Sequence, residues 1–408
     1  MRAAVVVLGD LNRSPRIVLH ALALSQSGVD VDLIGFAPAG WTPEGAGSNL
    51  DVWPIPTSPD TDDKAGRAGY LRRAVMRGVG LSWHLVRLLL WSVPRPNLIL
   101  LQNPPGVPTL AVAWLAARVR GARFAIDWHN LTWSMLALRL GRGHPFVAFI
   151  SAYERWFARR ADVNLFVTEA MRAELSRVWG IDGQVFRDQP AHVFQPLADA
   201  ERQSVKREFL AGLGEVDPEV PLVVTSTSWS ADEDFGLLFE ALVRYDVTAG
   251  ASRLLVTITG RGPLRDAFER RIASAGLTHV TVRMLWLEWS DYPRLLAAAD
   301  LGVCLHRSSS GLDLPMKVLD MFGAGLPVAA LDYGPCLGEL VVDGRNGLLF
   351  RTSDELARVL QKMFGETGPV TLSNLRAAVA SDARPSWEEA WRRDAAPALV
   401  PKWATAVE

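Results

Sequence analysis

The sequence predicts an α/β protein of two doubly wound, Rossmann-like domains facing one another across a cleft, and three observations predict it. The chain has 408 residues, more than one ordinary domain holds and enough for two cores. Short apolar runs alternate with helix-period segments, the pattern of parallel strands joined by helical crossovers. The alternation stops once, at a Pro- and Gln-containing segment from Asp188 to Pro196, and then restarts.

In the first half the strand-like runs are Ala3 to Leu8, Val31 to Phe36, Leu98 to Leu101, Phe124 to Ile126 and Val163 to Val167. In the second they are Leu222 to Thr225, Leu254 to Ile258, Val280 to Leu285, Leu301 to Leu305, Val328 to Leu331 and Leu348 to Phe350. The expected domains are 1–197 and 198–384, followed by a C-terminal helix at 385–408 that crosses back to the first domain. Paired sheets of this kind bind ligands outside the carboxyl ends of their strands. The residues just after each strand are therefore the ones that carry chemistry.

Composition, at 49% hydrophobic and 21% charged residues, fits an ordered, folded chain. The two cysteines, Cys304 and Cys336, lack the spacing of a metal or disulfide framework, which points to a reducing compartment. The opening run, Ala3 to Leu8, is too short for a signal-peptide core. Charge is unevenly spread. Lys64 to Arg160 holds fifteen basic residues against two acidic ones, Asp127 and Glu154, so this stretch carries +13 while the remainder, with 28 basic and 42 acidic residues, carries −14. Within it, Tyr70 to Trp91 is apolar but interrupted by Arg72, Arg73, Arg77, His84 and Arg87, which denies it a spanning helix. Two readings fit: a helix lying on anionic lipid, or a domain helix with one solvated, arginine-rich side. Trp128, Trp133, Met135, Leu136, Leu138 and Leu140, closed by Arg139 and Arg142, form a second candidate membrane contact.

After the first strand, Gly9 and Asp10 lead into Arg13, Ser14, Pro15 and Arg16, where Ser14 suits a helix cap and Pro15 the first helical position. Helix amides with Arg13 and Arg16 would make an anion pocket, unless the motif is only a helix start. After the fourth run come Asp127, Trp128, His129 and Asn130. Asp127 or His129 is the expected general base, the alternative being that Asp127 caps a turn and His129 satisfies a carbonyl. In the second half, Thr259-Gly260-Arg261-Gly262-Pro263 ends a strand and opens a helix, a geometry that suits a pyrophosphate. Next to the strand Leu301 to Leu305 lies His306-Arg307-Ser308-Ser309-Ser310-Gly311-Leu312-Asp313-Leu314-Pro315-Met316-Lys317, in which small hydroxyl residues, Gly311 and the Lys317 cation fit a nucleotide diphosphate.

With Ser226-Thr227-Ser228-Trp229, Glu233-Asp234-Phe235, Ala299 to His306, Ser308 to Val318 and Asn346-Gly347-Leu348, these motifs resemble the chitobiosyldiphosphodolichol β-mannosyltransferase family of the GT-B fold. Gly9-Asp10, Arg13 to Arg16, Asp127 to Asn130 and Asp188-Gln189-Pro190-Ala191 fit the same pattern, so the resemblance spans nearly the whole chain. It implies a GDP-mannose donor, an acceptor bearing N-acetylglucosamine on a polyprenyl pyrophosphate, a β-linked product, and no required metal or other cofactor. By similarity, Arg261 and Ser308 to Lys317 would hold the donor diphosphate, and Glu233 and Asp234 would approach the donor from the start of their helix. Eukaryotic members begin with a membrane-spanning helix, whereas this chain begins in its first strand, as expected of a bacterial or truncated relative held peripherally at the inner face of the cell membrane. Retaining relatives carry two glutamates where this chain has Asp313 and Asp320 at another spacing, which fits an inverting enzyme.

The expected reaction is a single displacement, with Asp127 the first choice of base and His129 the second, and with fixed donors near Gly262 and Gly311 steadying the departing pyrophosphate. The expected partners are a nucleotide-sugar, a lipid-linked acceptor and an anionic membrane, with no nucleic acid. The rival readings are a nucleotide-sugar epimerase and a non-catalytic scaffold for a membrane transferase. An NAD enzyme is excluded by the lack of a Gly-X-Gly-X-X-Gly fingerprint after either first strand.

Overall fold

A computed structural model of the chain describes residues 1–55, 78, 80–215, 217–227, 229, 233–365, 368–382 and 384–401. The basic segment from Lys64 to Arg77, Ser228, and residues 402–408 of the expected C-terminal helix lie outside them. Two compact units are present: 1–187 with 388–408, and 188–387.

The first unit runs β1 (Arg2–Asp10), α1 (Pro15–Gln26), β2 (Asp30–Phe36), β3 (Leu50–Ile55), helical residues 80–92 (α2), β4 (Leu98–Asn103) and α3 (Thr109–Arg120). It continues with β5 (Arg123–Trp128), α4 (Thr132–Leu140), α5 (Pro145–Ala158), β6 (Val163–Phe166), α6 (Glu169–Trp179) and β7 (Gln184–Val185). The seven strands are all parallel, in the order β3-β2-β1-β4-β5-β6-β7. A sheet covered by helices on both faces needs nearly continuous apolar strands, and Ala3 to Val7, Leu98 to Leu101 and Phe124 to Ile126 are buried accordingly. Two strands escape the apolar-run signal. β3 (Leu-Asp-Val-Trp-Pro-Ile) is an edge strand buried only at its ends, where Pro54 is tolerated, and β7 is two residues long. The C-terminal segment belongs to this unit. Trp391 donates its indole N–H to His20 Nδ1 on α1 at 3.0 Å, and Arg123 bonds the carbonyls of Ala398 and Leu399.

The second unit contains α7 (Asp199–Gly212), β8 (Leu222–Ser226), α8 (Phe235–Asp246), β9 (Leu254–Thr259), α9 (Arg265–Ser274), β10 (Val280–Leu285) and α10 (Asp291–Ala298). It ends with β11 (Leu301–Cys304), α11 (Met316–Gly323), β12 (Val328–Leu331), β13 (Gly347–Phe350), α12 (Ser353–Phe364) and α13 (Gly368–Ser381). Its parallel order is β10-β9-β8-β11-β12-β13. The winding therefore reverses between β1 and β4 in one unit and between β8 and β11 in the other, and the crevice at such a reversal is where ligands bind. The boundary falls at 187/188 rather than 197/198, because the Pro-containing segment packs on the second unit. Pro190 and Phe194 lie over Gly323, where a Cβ would meet them at 2.7 and 3.0 Å, and the Phe194 ring stands edge-on to Tyr292 at 5.8 Å.

One carboxylate ties the second unit's start together. Asp300, just before β11, accepts from Lys206 Nζ at 2.7 Å, Arg202 at 3.1 Å and the Leu222 amide at 2.8 Å. Lys206 is itself buried, so losing its counter-charge is costly. Asp300→Ala is expected to lower unfolding free energy by about 3 kcal/mol in urea titrations, with the loss shrinking when Lys206 is replaced by Met in the same chain.

Candidate active site

At the end of β1 the chain makes a tight helical turn before α1. Asp10 closes it by accepting from the Asn12 amide at 3.0 Å, and Leu11 fills the space above Gly35, which a side chain there would occupy. Ser14 stands at the N-cap position of α1 but makes no capping bond with its side chain, and Pro15 takes the first helical position. Gly9 is half-buried, and Asp10 and Arg13 are exposed at this edge.

Arg16 and Asp127 meet inside the unit instead of facing a ligand. The guanidinium clamps the carboxylate bidentately, Nε to Oδ2 at 2.7 Å and Nη2 to Oδ1 at 2.8 Å. Nη2 also bonds the Phe186 carbonyl at 3.0 Å, and the guanidinium lies 4.6 Å from the Phe186 ring centre. His20 Nε2 lies 3.4 Å from Asp127 Oδ2. Because an indole N–H only donates, Trp391 fixes His20 Nδ1 as an acceptor and leaves the ring proton on Nε2, toward Asp127. Burial pushes the Asp127 carboxyl up, but the charge of Arg16 and the bonds from His20 and Arg16 outweigh it and hold the group well below the usual carboxylate range. A fully buried carboxylate that holds its proton so weakly is no general base, which corrects the first choice from sequence. Arg16 is likewise spent on Asp127 and is not part of an anion pocket.

His129 follows β5 and is half-buried. Its backbone amide bonds the Asn103 carbonyl at the end of β4 at 2.9 Å, which holds it at the strand edge. Asn103 also donates from Nδ2 to buried Glu154 of α5 at 2.8 Å, and Glu154 accepts from the Thr132 and Trp133 amides at 2.8 and 3.1 Å, capping α4 from a neighbouring helix. Burial pushes the Glu154 carboxyl up, and its hydrogen bonds pull the other way. Asn103, Glu154, His20 and Trp391 were not singled out from sequence. Their partners are too distant along the chain for any local motif to reveal.

In the second unit, Thr227 follows β8 and its amide bonds the Thr259 carbonyl at 2.8 Å. This brings Gly260, at φ 129°, so close that a Cβ would stand 1.8 Å from the Thr227 carbonyl oxygen. Only glycine fits there, and Arg261 and Gly262 follow it, both exposed. The Arg261 guanidinium lies 4.0 Å from the Trp286 ring centre beyond β10. Glu233 is buried, bridges antiparallel to His306, accepts from the Thr227 hydroxyl and is ion-paired with Lys317 on the first turn of α11. Glu233 is thus the counter-ion that steers Lys317. Asp234, expected to approach the donor, accepts from the Leu237 amide at 3.0 Å as the N-cap of α8.

The serine loop is bonded to itself. The Ser308 hydroxyl donates to Asp313 Oδ1, Ser310 donates to the same oxygen at 3.2 Å, and in return the Gly311 and Leu312 amides bond Ser308 and Ser310 oxygens at 2.8 and 3.2 Å. Tyr333 donates to the Asp313 carbonyl at 2.7 Å, and Gly311 turns the chain at φ 74°. Ser309 is half-buried on the same turn. The loop delivers the chain to α11, where Pro315 at the N-cap position has no side chain to cap the first amides. Asp313 is the hub of this loop, while burial pushes the Asp320 carboxyl on α11 up to about 7. A self-bonded loop, an uncapped helix start and one steered cation at the β8/β11 reversal have the chemistry to suit an anion.

Residues 15–187 match the glycosyl transferase 4-like domain family and residues 221–365 the glycosyl transferases group 1 family. HepE of Anabaena in complex with UDP superposes with a TM-score of 0.65 at 16% identity over 100% of this chain and 99% of that one. Sucrose-phosphate synthase of Thermosynechococcus elongatus gives 0.66 at 15% identity, with coverage of 100% and 99%. Two doubly wound sheets carrying these domains make the protein a GT-B glycosyltransferase. Sequence comparison goes further. The chitobiosyldiphosphodolichol beta-mannosyltransferases of Mus musculus and Homo sapiens are 38% and 37% identical, each over 97% of this chain and over 88% and 92% of their own lengths. The UDP-glycosyltransferase TURAN of Arabidopsis thaliana is 38% identical over 98% of this chain and 97% of its own. The chain belongs to the chitobiosyldiphosphodolichol β-mannosyltransferase family and is a hexosyltransferase, so the epimerase and scaffold readings fall away.

The Arg16–Asp127 pair has a pH signature. A carboxyl whose folded pKa is depressed stabilises the fold fully above its unfolded value, about 3.9, and the benefit is lost as pH falls further. Asp127→Asn is expected to cost about 3–5 kcal/mol at pH 7 in urea unfolding, and the gap to wild type should narrow below about pH 4. A constant gap would contradict the assignment.

Proposed function

We propose that the protein transfers mannose from GDP-mannose, with inversion, to the N-acetylglucosamine of a disaccharide carried on polyprenyl pyrophosphate, at the cytoplasmic face of the membrane. The observation that carries this reading is the self-bonded Ser308 to Asp313 loop, opening on α11 with Lys317 steered by Glu233, in a family named for that transfer.

His129 is the base of this mechanism, because Asp127 is buried and paired. It takes the proton of the acceptor hydroxyl, whose oxygen then bonds to the anomeric carbon of the sugar. The bond from that carbon to the diphosphate breaks, and its electron pair leaves on the nucleotide. Lys317, Arg261 and the amides of Gly262 and the first turn of α11, with the loop turned by Gly311 presenting them, neutralise the growing charge. These donors need no reorganisation, since Glu233, Trp286 and Asp313 already hold their side chains or loops. Half-buried Gly9 and exposed Asp10 and Arg13, at the β1 edge, are assigned to the acceptor side, with Arg13 supplying the cation for its phosphates.

One relative of comparable identity has UDP in its name while the mannosyltransferases name no nucleotide, so the donor is tested first. Incubation with a panel of nucleotide-sugars and a short-chain lipid-pyrophosphate chitobiose, read by mass spectrometry, should give one added hexose with GDP-mannose only; gain from a uridine donor would overturn the donor assignment. Lys317→Ala and Arg261→Ala are each expected to lower kcat about 10²-fold to 10³-fold, the range for losing one transition-state donor. His129→Ala should lose about 10²-fold to 10⁴-fold in turnover while titrations of GDP-mannose binding stay unchanged.

A further inference from the structure

Soluble helices turn mainly polar residues outward, whereas α5 turns out mainly aromatic ones. Its core side is Val147, Ile150, Glu154 and Phe157, whereas Phe146, Phe149, Tyr153 and Trp156 recur at spacings of three and four along the other side. Phe146 and Phe149 stack with ring centres 6.1 Å apart, and Phe149 is 59% exposed. Leu138 of α4 is 66% exposed, and on α2 the Trp83 and Trp91 rings lie 6.4 Å apart at 64% and 66% exposure.

Topology puts these helices on one side. The crossovers β3 to β4, β4 to β5, β5 to β6 and β6 to β7 all advance in the same direction across the sheet, and right-handed connections set α2 to α6 on the same face. α1, whose crossover runs the other way, lies on the opposite face, where Trp391 covers it. Met1 and Val107 apart, every exposed large apolar side chain among the described residues of the first unit lies on α2 to α6. The same helices and the turns at their ends are basic. Arg139, Arg142, Arg155, Arg159 and Arg160 are exposed, with Arg160 lying 3.5 Å over the Trp156 ring. The only acidic residue on α2 to α5 is Glu154, which is buried.

We propose that this face, centred on the aromatic stripe of α5, is where the protein rests on an anionic phospholipid bilayer. Aromatic and leucine side chains sit at the boundary of headgroups and acyl chains, and the arginines lie among the phosphates. A second copy of the chain fits worse, because it would bring the same unmatched arginines against each other. The assignment rests on the reading of a lipid-linked acceptor and names the surface that brings the enzyme to it. No described helix is long and apolar enough to cross a membrane, so contact is made by a surface of short helices.

The test is co-sedimentation of the full chain with phosphatidylcholine vesicles, with and without phosphatidylglycerol. Wild type should bind only the anionic vesicles, and both Leu138→Ser/Phe149→Ser and Arg139→Glu/Arg142→Glu should lower partition at least about tenfold with unchanged melting curves. Both variants should turn over a water-soluble short-chain acceptor within about twofold of wild type. Unchanged vesicle binding in both variants would overturn the proposal, as would a lipid-free dimer, seen by light scattering, that these substitutions break. Vesicle partition judges the surface, and turnover of the short-chain acceptor by wild type judges the acceptor reading, so the two fail separately.

Discussion

A charge delivered to the edge of a parallel sheet must be matched inside the protein or left for a ligand, because desolvating an unpaired ion costs several kcal/mol. This constraint divides the charged residues of both units. Arg16 and Asp127 neutralise one another in two short bonds, with His20 and Trp391 completing the set, and they hold α1, β5 and the C-terminal segment together. Asp300 does the same for α7, β8 and β11. What remains for ligands at the strand ends is mainly cationic: Arg13, Arg261 and Lys317, with the exposed carboxylate of Asp10 near Arg13. That remainder suits substrates with phosphate groups at either end of the reaction.

Lys317 lies between the two classes. Glu233 offsets part of its charge yet fixes its direction, and the Thr227 hydroxyl in turn fixes Glu233. An anion arriving here meets an ammonium group already aimed and a loop already folded on its own serines. In the proposed reaction, binding energy is then available for the charge that builds as the diphosphate departs, which is where it would accelerate the step.

Much of this was legible in the sequence because it was local. Eleven apolar runs gave eleven strands, and the serine loop announced its place after β11. The two missed strands lie at a sheet edge, where burial on both faces is not required and the apolar signal fades. Roles fared worse than places. Asp127 and His129 look equally suited to chemistry until Arg16, 111 residues away, is seen to occupy one of them. Asp234 reads as a ligand and is a helix cap, because a cap and a ligand use the same oxygen atoms. The aromatic stripe on α5 was hidden for another reason: Phe146, Phe149 and Trp156 look like core until the inner face is seen to be filled by Val147, Ile150 and Phe157.

The proposed reaction is a single displacement at a mannosyl anomeric carbon. The configuration of the product reports this directly. GDP-mannose and short-chain chitobiosyl pyrophosphate are incubated with the full chain, and the new anomeric centre is read by nuclear magnetic resonance. One β-linked mannose is the predicted result; an α-linked mannose, or release of free mannose with the acceptor untouched, would contradict it.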